Sequence, residues 1–291
     1  MVRLYVNIED SLVQPLEDAF CELTRSNWGI EKINDRIPTE LFGYFDSAAD
    51  AEADYAALRA RFPSLSEKFS LDPVNDRDWQ NEYKKFLKPW SYADLHWVPV
   101  WMRGEYPVPA GDKVLYFDAG LAFGTGDHPT TRLCATAMLD YVRENDPSDK
   151  FIVDAGCGSG ILALTAKLYG FGKIFGFDRD PEAVRVSVEN AAFNSIELDN
   201  VAFEHAGIEH ALGGKAADVI LANIISDVLC IYADCLIGAV KDGGLLVLSG
   251  ILAAENDNVK KYFGERCGAR LASCESAVSG EWSRLVIRMK E

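Results

Sequence analysis

Apolar and polar residues alternate along VRLYVNI at residues 2–8, which predicts a strand. Over 12–24, Leu12, Leu16, Ala19, Phe20 and Leu23 recur near helical spacing. Short strand patterns follow at Gly29–Ile33 and Glu40–Phe45, then a helical one at Ala51–Arg61 closed by Phe62-Pro63. These parts sum to a small α+β unit over residues 1–75. Trp79, Tyr83, Phe86 and Leu87 share one helical face, and Pro89 stops that helix. LHWVPVWM after it is strand-like, although Pro99 argues against a central ladder position. Pro107, Pro109 and Gly111 then mark a turn, so residues 76–110 read as a connecting helix and linker.

From 111 to 291 the rhythm becomes α/β. Strand patterns at Phe151–Ala155, Lys173–Asp178, Val201–His205, Ala217–Ala222 and 245–252 alternate with helical runs at Ile161–Tyr169, Pro181–Phe193, Asp227–Ala239 and Glu255–Arg266. Arg270–Glu275 and Trp282–Met289 are expected to finish the sheet as an antiparallel pair. Such alternation predicts a doubly wound α/β domain.

The 291 residues suffice for two such units without disulfide staples. Twenty-nine basic against 45 acidic side chains give a net charge of −16, which argues against broad binding to nucleic acid, since that requires Lys and Arg to displace counterions. Residues 1–60 hold 5 basic and 12 acidic groups, an acidic surface that suits either a basic protein partner or solvation alone. The seven cysteines form no CxxC or zinc-finger spacing and read as reduced thiols of a cytoplasmic protein. No signal-peptide apolar region opens the chain, and no apolar run is long enough to predict a membrane span.

The first chemical signal is Asp154-Ala155-Gly156-Cys157-Gly158-Ser159-Gly160, set between a strand and a helix. Glycines there allow a tight turn and bring backbone N–H groups against a ligand. Ile161 stands where a dinucleotide fingerprint needs its third glycine, and no GK[ST] follows, so the crevice suits a nucleoside without pyrophosphate, with S-adenosylmethionine the obvious candidate. Asp178 ends the next strand, 22 residues after Gly156, where a carboxylate accepts hydrogen bonds from both ribose hydroxyls; Asp180 is the better helix cap. Asn223 ends ADVILAN. Its carbonyl is placed to accept from an amine and aim the nitrogen lone pair, or else it caps the next segment, a task Ser226 would equally fill.

A third cluster runs from Phe123 through Gly124, Thr125, Gly126, Asp127 and His128 to Pro129, Thr130, Thr131 and Arg132, opening a helix that extends to about Glu144. Asp127 and His128 either help a proton leave the site or belong to a turn that Asp127 or Thr130 caps. The histidines at 96, 205 and 210 form no HxxH or HExxH pattern, so no metal is expected.

Taken in order, FDAGLAFGTGDHPTT, DAGCGSGILALTAKLYG, GFDRDPEAV, ADVILANI and GGLLVLSGIL resemble the ribosomal large-subunit protein eleven methyltransferases, the PrmA family, over about residues 76–291. The resemblance implies a class I methyltransferase fold: a Rossmann-like seven-stranded sheet with a smaller N-terminal ferredoxin-like α+β domain that recruits the protein substrate. It implies S-adenosylmethionine-dependent methylation of lysine ε-amines and the α-amine of that ribosomal protein. Motif by motif, Thr131, Gly156, Asp178 and Asn223 carry over as cofactor contacts, and Phe123, Thr125 and Gly158 are placed with them. Asn223, with Asp127 and His128, forms the expected catalytic set. Ala119 and Asp127 depart from the family's usual proline and threonine. A lysine of a non-ribosomal protein such as a flavoprotein subunit, or a small amine, is the alternative substrate. Nucleic-acid amine methylation is disfavoured because Ile224-Ile225 follow Asn223 in place of a proline and an aromatic residue. A monomer in the cytoplasm is expected.

Overall fold

A computed structural model describes residues 1–21, 27–32, 38–73, 87–118 and 128–291, the side chains at 17, 18 and 21 excepted. Residues 76–86 of the helix expected over 76–87, and residues 119–127, which include Phe123, Thr125 and Asp127, lie outside the described residues. The chain divides into two compact units, Met1–Phe86 and Leu87–Glu291.

In the first unit, β1 (Val2–Ile8), β2 (Trp28–Glu31), β3 (Thr39–Phe45) and β4 (Ser70–Pro73) form an antiparallel sheet in the order β2-β3-β1-β4. Helices α1 (Val13–Cys21) and α2 (Ala48–Arg61) complete a β-α-β-β-α-β chain of ferredoxin-like order. Period-two alternation sends Leu4, Val6, Ile8, Leu41 and Phe45 to one face, where Leu16, Ala51 and Tyr55 of the helices join them. Ser47 caps α2 by accepting the Asp50 N–H.

The second unit opens with a three-stranded sheet, β5 (Trp90–Tyr92), β6 (Leu95–Pro99) and β7 (Lys113–Phe117). Contrary to the expectation from Pro99, β6 is its central strand. The proline is tolerated because β5 pairs only with Leu95–Trp97, leaving Pro99 opposite Phe117 on the β7 side alone. Trp97 is fully buried, stacks on Trp90 with ring centroids 3.8 Å apart, and donates its indole N–H to Thr165 Oγ1 at 2.9 Å. A residue expected in a linker therefore braces the α/β core.

That core is a seven-stranded sheet built from β8 (Phe151–Ala155), β9 (Lys173–Asp178), β10 (Val201–His205), β11 (Ala217–Asn223), β12 (Val240–Leu252), β13 (Leu271–Ser279) and β14 (Trp282–Met289). Its order is β10-β9-β8-β11-β12-β14-β13, with the first five parallel and β14 antiparallel to both its neighbours. This is the seven-stranded class I arrangement expected from the motifs. Helices α3 (Pro129–Glu144), α4 (Ile161–Leu168), α5 (Pro181–Phe193), α6 (Ile208–Leu212), α7 (Ser226–Ile231), α8 (Ala233–Gly238) and α9 (Asn256–Cys267) cover it. Val153, Phe177, Ile220, Leu246 and Leu285 point to one face, packed with Ile208, Leu229, Leu236 and Phe263. Each such buried side chain contributes about 1.5–3 kcal/mol. The alternate residues of β11, β12 and β14 face α3. The single helix predicted over Asp227–Ala239 is broken at Tyr232, which separates α7 from α8.

Candidate active site

The turn after β8 is held by its neighbours. Gly156, Gly158 and Gly160 all have positive φ, +70°, +52° and +75°, a conformation that side chains with a Cβ rarely adopt. The Gly156 and Cys157 N–H groups both donate to the Phe177 carbonyl at 2.9 Å, locking the turn to the end of β9. Gly160 offers no side chain to cap α4. Asp154 does that job from inside the sheet, its Oδ2 accepting the Ala163 N–H at 3.0 Å. Asp154 is 2% exposed; burial pushes its carboxyl up to about 7, and the nearby negative Asp178 adds to the rise against the lowering effect of the Ala163 bond.

Asp178 lies at the carboxyl end of β9, as predicted. One oxygen accepts the Gly158 N–H and the other the Asp180 N–H, each at 3.0 Å. A carboxylate has about four acceptor sites, so two bonds leave it able to accept more. Asp180 caps α5 through the Glu182 N–H at 2.9 Å.

Asn223 ends β11 on the α3 side of the sheet, because Ala222 before it points into the opposite core. Its Nδ2 donates to Thr131 Oγ1 at 3.3 Å. Its Oδ1 is buried and has no hydrogen-bond partner among the described residues, which is costly unless a donor reaches it. Ser226, the alternative cap, does not cap α7 either; it is the first helical residue, and its hydroxyl donates to Glu255 Oε2 at 2.6 Å.

His128 is the N-cap of α3, in place of Asp127 or Thr130. Its Nδ1 accepts the Thr130 N–H at 3.4 Å and lies 2.7 Å from Thr130 Oγ1, while its ring meets Trp282 edge-on at 5.0 Å. Accepting the Thr130 N–H requires Nδ1 to be without a proton. Thr131, one residue further on, is 1% exposed and turned toward Asn223. The structure thus brings Thr131 and Asn223 together at one end of the sheet, and Gly156, Gly158 and Asp178 together at the neighbouring strand ends. Among the described residues, no group of three or more His, Cys, Asp or Glu could hold a metal ion.

Two residues escaped the sequence reading. Asn190 on α5 is fully buried; its Oδ1 accepts the Asp118 N–H at 2.8 Å, and its Nδ2 donates to the carbonyls of Asp118 and Ser159, each at 2.9 Å. It clamps the end of β7 to the glycine turn. Asn194, one helical turn on, grips Tyr116 in the same way. The available signal was two amides four residues apart on the stripe that also buries Ala183, Val186 and Ser187. Asp154 sits inside the glycine motif, where nothing in the spacing marks it as the cap of α4.

The ribosomal protein L11 methyltransferase (PrmA) family matches this chain over residues 5–290. The chain is 37% identical over 256 residues to a ribosomal protein L11 methyltransferase of Clostridium botulinum (strain Eklund 17B / Type B), covering 85% of this chain and 78% of that protein. It is 32% identical over 284 residues to the one from Methylobacillus flagellatus, covering 91% and 92%. The crystal structure of ribosomal protein L11 methylase from Lactobacillus delbrueckii subsp. bulgaricus aligns with a TM-score of 0.59 and 28% identity, over 69% of this chain and 97% of that one. With the family model spanning nearly the whole chain and relatives of this identity, the chain belongs to the ribosomal protein L11 methyltransferase (PrmA) family of class I methyltransferases.

Proposed function

We propose that this enzyme transfers methyl groups from S-adenosylmethionine to lysine ε-amines and the α-amine of ribosomal protein L11. The observation that carries the site is the buried, unpartnered Oδ1 of Asn223 beside the glycine turn. The residues present fit the methyl donor: positive-φ glycines give a backbone that a ligand can approach, and Asp178 retains acceptor capacity for ribose hydroxyls. Gly156, Gly158, Asp178, Thr131 and Asn223 would hold it, with Phe123 and Thr125 outside the described residues.

When bound, S-adenosylmethionine supplies a methyl carbon already electrophilic on its sulfonium. The protein's part is then alignment. A lysine with a solution pKa of ~10.4 is mostly protonated at neutral pH and must shed a proton before it can attack. Asn223 Oδ1 accepts a hydrogen bond from the neutral amine and aims its lone pair, and Thr131 holds the other end of the amide. Water receives the proton, or Asp127 and His128 relay it; the His128 Nδ1 is already engaged as the helix cap. Residues 1–75 recruit the substrate. Their acidic surplus, 12 against 5 basic groups in the first 60 residues, complements a basic ribosomal protein in the cytoplasm, where such proteins are made.

The test compares methyl incorporation into purified L11, a lysine-bearing flavoprotein subunit and free lysine, with mass spectrometry of the products. Methylation of L11 well above the other two is expected. In the same assay, Asn223→Ala should lower kcat on the order of 100-fold, far more than it weakens cofactor binding. Preference for the flavoprotein subunit or free lysine would move the assignment to the corresponding substrate. An unaltered kcat in the variant would remove Asn223 from the chemistry.

A further inference from the structure

Ser249 is fully buried, the polar end of a row on β12 that otherwise carries Leu245 and Val247 toward α3. A hydroxyl at such a place is unfavourable unless it is hydrogen-bonded. It touches both flanks of Asn223. In the parallel ladder Ser249 is the direct partner of Asn223, and its carbonyl accepts the Ile224 N–H at 3.0 Å. Its hydroxyl donates to the Thr130 carbonyl at 3.1 Å, with the Ser283 carbonyl further away at 3.4 Å. Thr130 is the residue before Thr131, whose hydroxyl receives the Asn223 amide.

Of the two carbonyls the hydroxyl meets, that of Thr130 is the nearer. The Ser283 hydroxyl is engaged elsewhere, donating to the Ile251 carbonyl at 3.2 Å and accepting from Asn256 at 2.8 Å, and so does not compete for the Thr130 carbonyl. The adjacent Cys134 sulfur also meets the Ser249 hydroxyl, but burial pushes its thiol up to about 12, so at neutral pH it is a protonated sulfur and a weak acceptor beside the carbonyl. Gly250, at φ +84°, makes the approach possible: a Cβ there would stand 2.5 Å from the Ile224 carbonyl oxygen.

We propose that Ser249 is a positioning residue for methyl transfer, clamping the start of α3 to the end of β11 so that Thr131 fixes the Asn223 amide and aims its Oδ1. The inference rests on Asn223 as the amine-orienting group. Ser249 touches neither the amine nor the methyl donor; it sets the distance between the two elements that carry the orienting pair. Misplacement of a reacting group by about 1 Å costs on the order of 100-fold in rate, so a lost clamp is read in kcat.

The experiment is a double-mutant cycle of Ser249→Ala and Asn223→Ala, following transfer of a labelled methyl group to L11 under single-turnover conditions, with cofactor Kd by calorimetry and Tm alongside. Ser249→Ala is expected to lower kcat about 10- to 100-fold, to leave cofactor Kd and the KM for L11 within about threefold, and to cost nothing further in the Asn223→Ala background. Equal loss in both backgrounds would mark a general packing defect and overturn the proposal. An undiminished kcat in Ser249→Ala beside a reduced one in Asn223→Ala would overturn it while leaving Asn223 its role. An undiminished kcat in Asn223→Ala would end both. Should Ser249→Ala not fold, Ser249→Cys carries the same cycle, since its thiol is a weak donor of nearly the same volume.

Discussion

Asp178 holds the glycine turn through its neighbour's main chain: the Gly158 N–H reaches its Oδ2 at 3.0 Å. The same carboxylate is the proposed ribose acceptor, so its removal is felt twice. Asp178→Ala should weaken S-adenosylmethionine binding about 10- to 100-fold, the worth of one or two hydrogen bonds to a charged group. Asp178→Asn, which keeps one acceptor oxygen, should lose less. Titration calorimetry with the product S-adenosylhomocysteine checks the order, and equal affinities would remove Asp178 from the site.

Asp154 gives the stability a pH signature. Its folded value of about 7 lies above the unfolded 3.8, so the folded state holds the proton more tightly. The resulting stabilisation is fully present below the unfolded value and is lost as pH rises through the folded one. The carboxylates held low by partners, such as Asp94 beside Lys113 and Asp199 beside Lys167, act in the opposite sense but are ionised in both states above about pH 5. Between pH 5 and 7 the stability of the wild type relative to Asp154→Asn should therefore fall, by at most about 1.4 kcal/mol per pH unit, and level off by pH 8. Urea unfolding at several pH values measures the difference; a flat difference would place the carboxyl elsewhere on the scale.

Asn190 makes a prediction in which the charged isostere is worse than truncation. Its Oδ1 faces an N–H, while its Nδ2 faces two carbonyls. Asn190→Ala removes three buried hydrogen bonds and should cost about 2–4 kcal/mol. Asn190→Asp sets an acceptor-only group against those two carbonyls in a fully buried place and should cost more. Denaturant midpoints rank the pair, and the reverse order would contradict the clamp.

Gly250 of β12 lies against the main chain of Ile224, the residue that follows β11. A methyl group there meets the Ile224 carbonyl at 2.5 Å in a left-handed backbone, so Gly250→Ala combines strain with a clash. A loss of about 2–4 kcal/mol is expected, with a matching fall in Tm. Unchanged stability would mean that the strand end shifts freely.

Much of this was legible in the chain itself. Strand ends announced themselves where apolar runs met Asp178 and Asn223, because in a parallel sheet the residue after the buried run emerges at the crevice. Asp180 was recognisable as a cap from the proline beside it. His128 was not, because imidazole lies outside the usual capping set and its role depends on a ring contact with Trp282, 154 positions away. The break at Tyr232 was invisible because the apolar spacing on either side stays nearly in phase across one non-helical residue. Ser249 carries no signal of its own within an apolar strand; its partner Thr130 is set by how α3 lies on the sheet, which no local pattern encodes.

The placement of β14 has a bearing on biosynthesis. It lies between β12 and β13, yet it is translated after both. A nascent chain that has delivered Leu271–Ser279 but not Trp282–Met289 leaves β12 with an unsatisfied edge, and the hairpin partner of β13 has yet to be made. Trp282, whose ring meets His128, and Ser283, whose carbonyl lies against the Ser249 hydroxyl, arrive with that strand. Until β14 slots in, the edge of β12 stands open to other strands and the contacts of His128 and Ser249 with this strand are unmade.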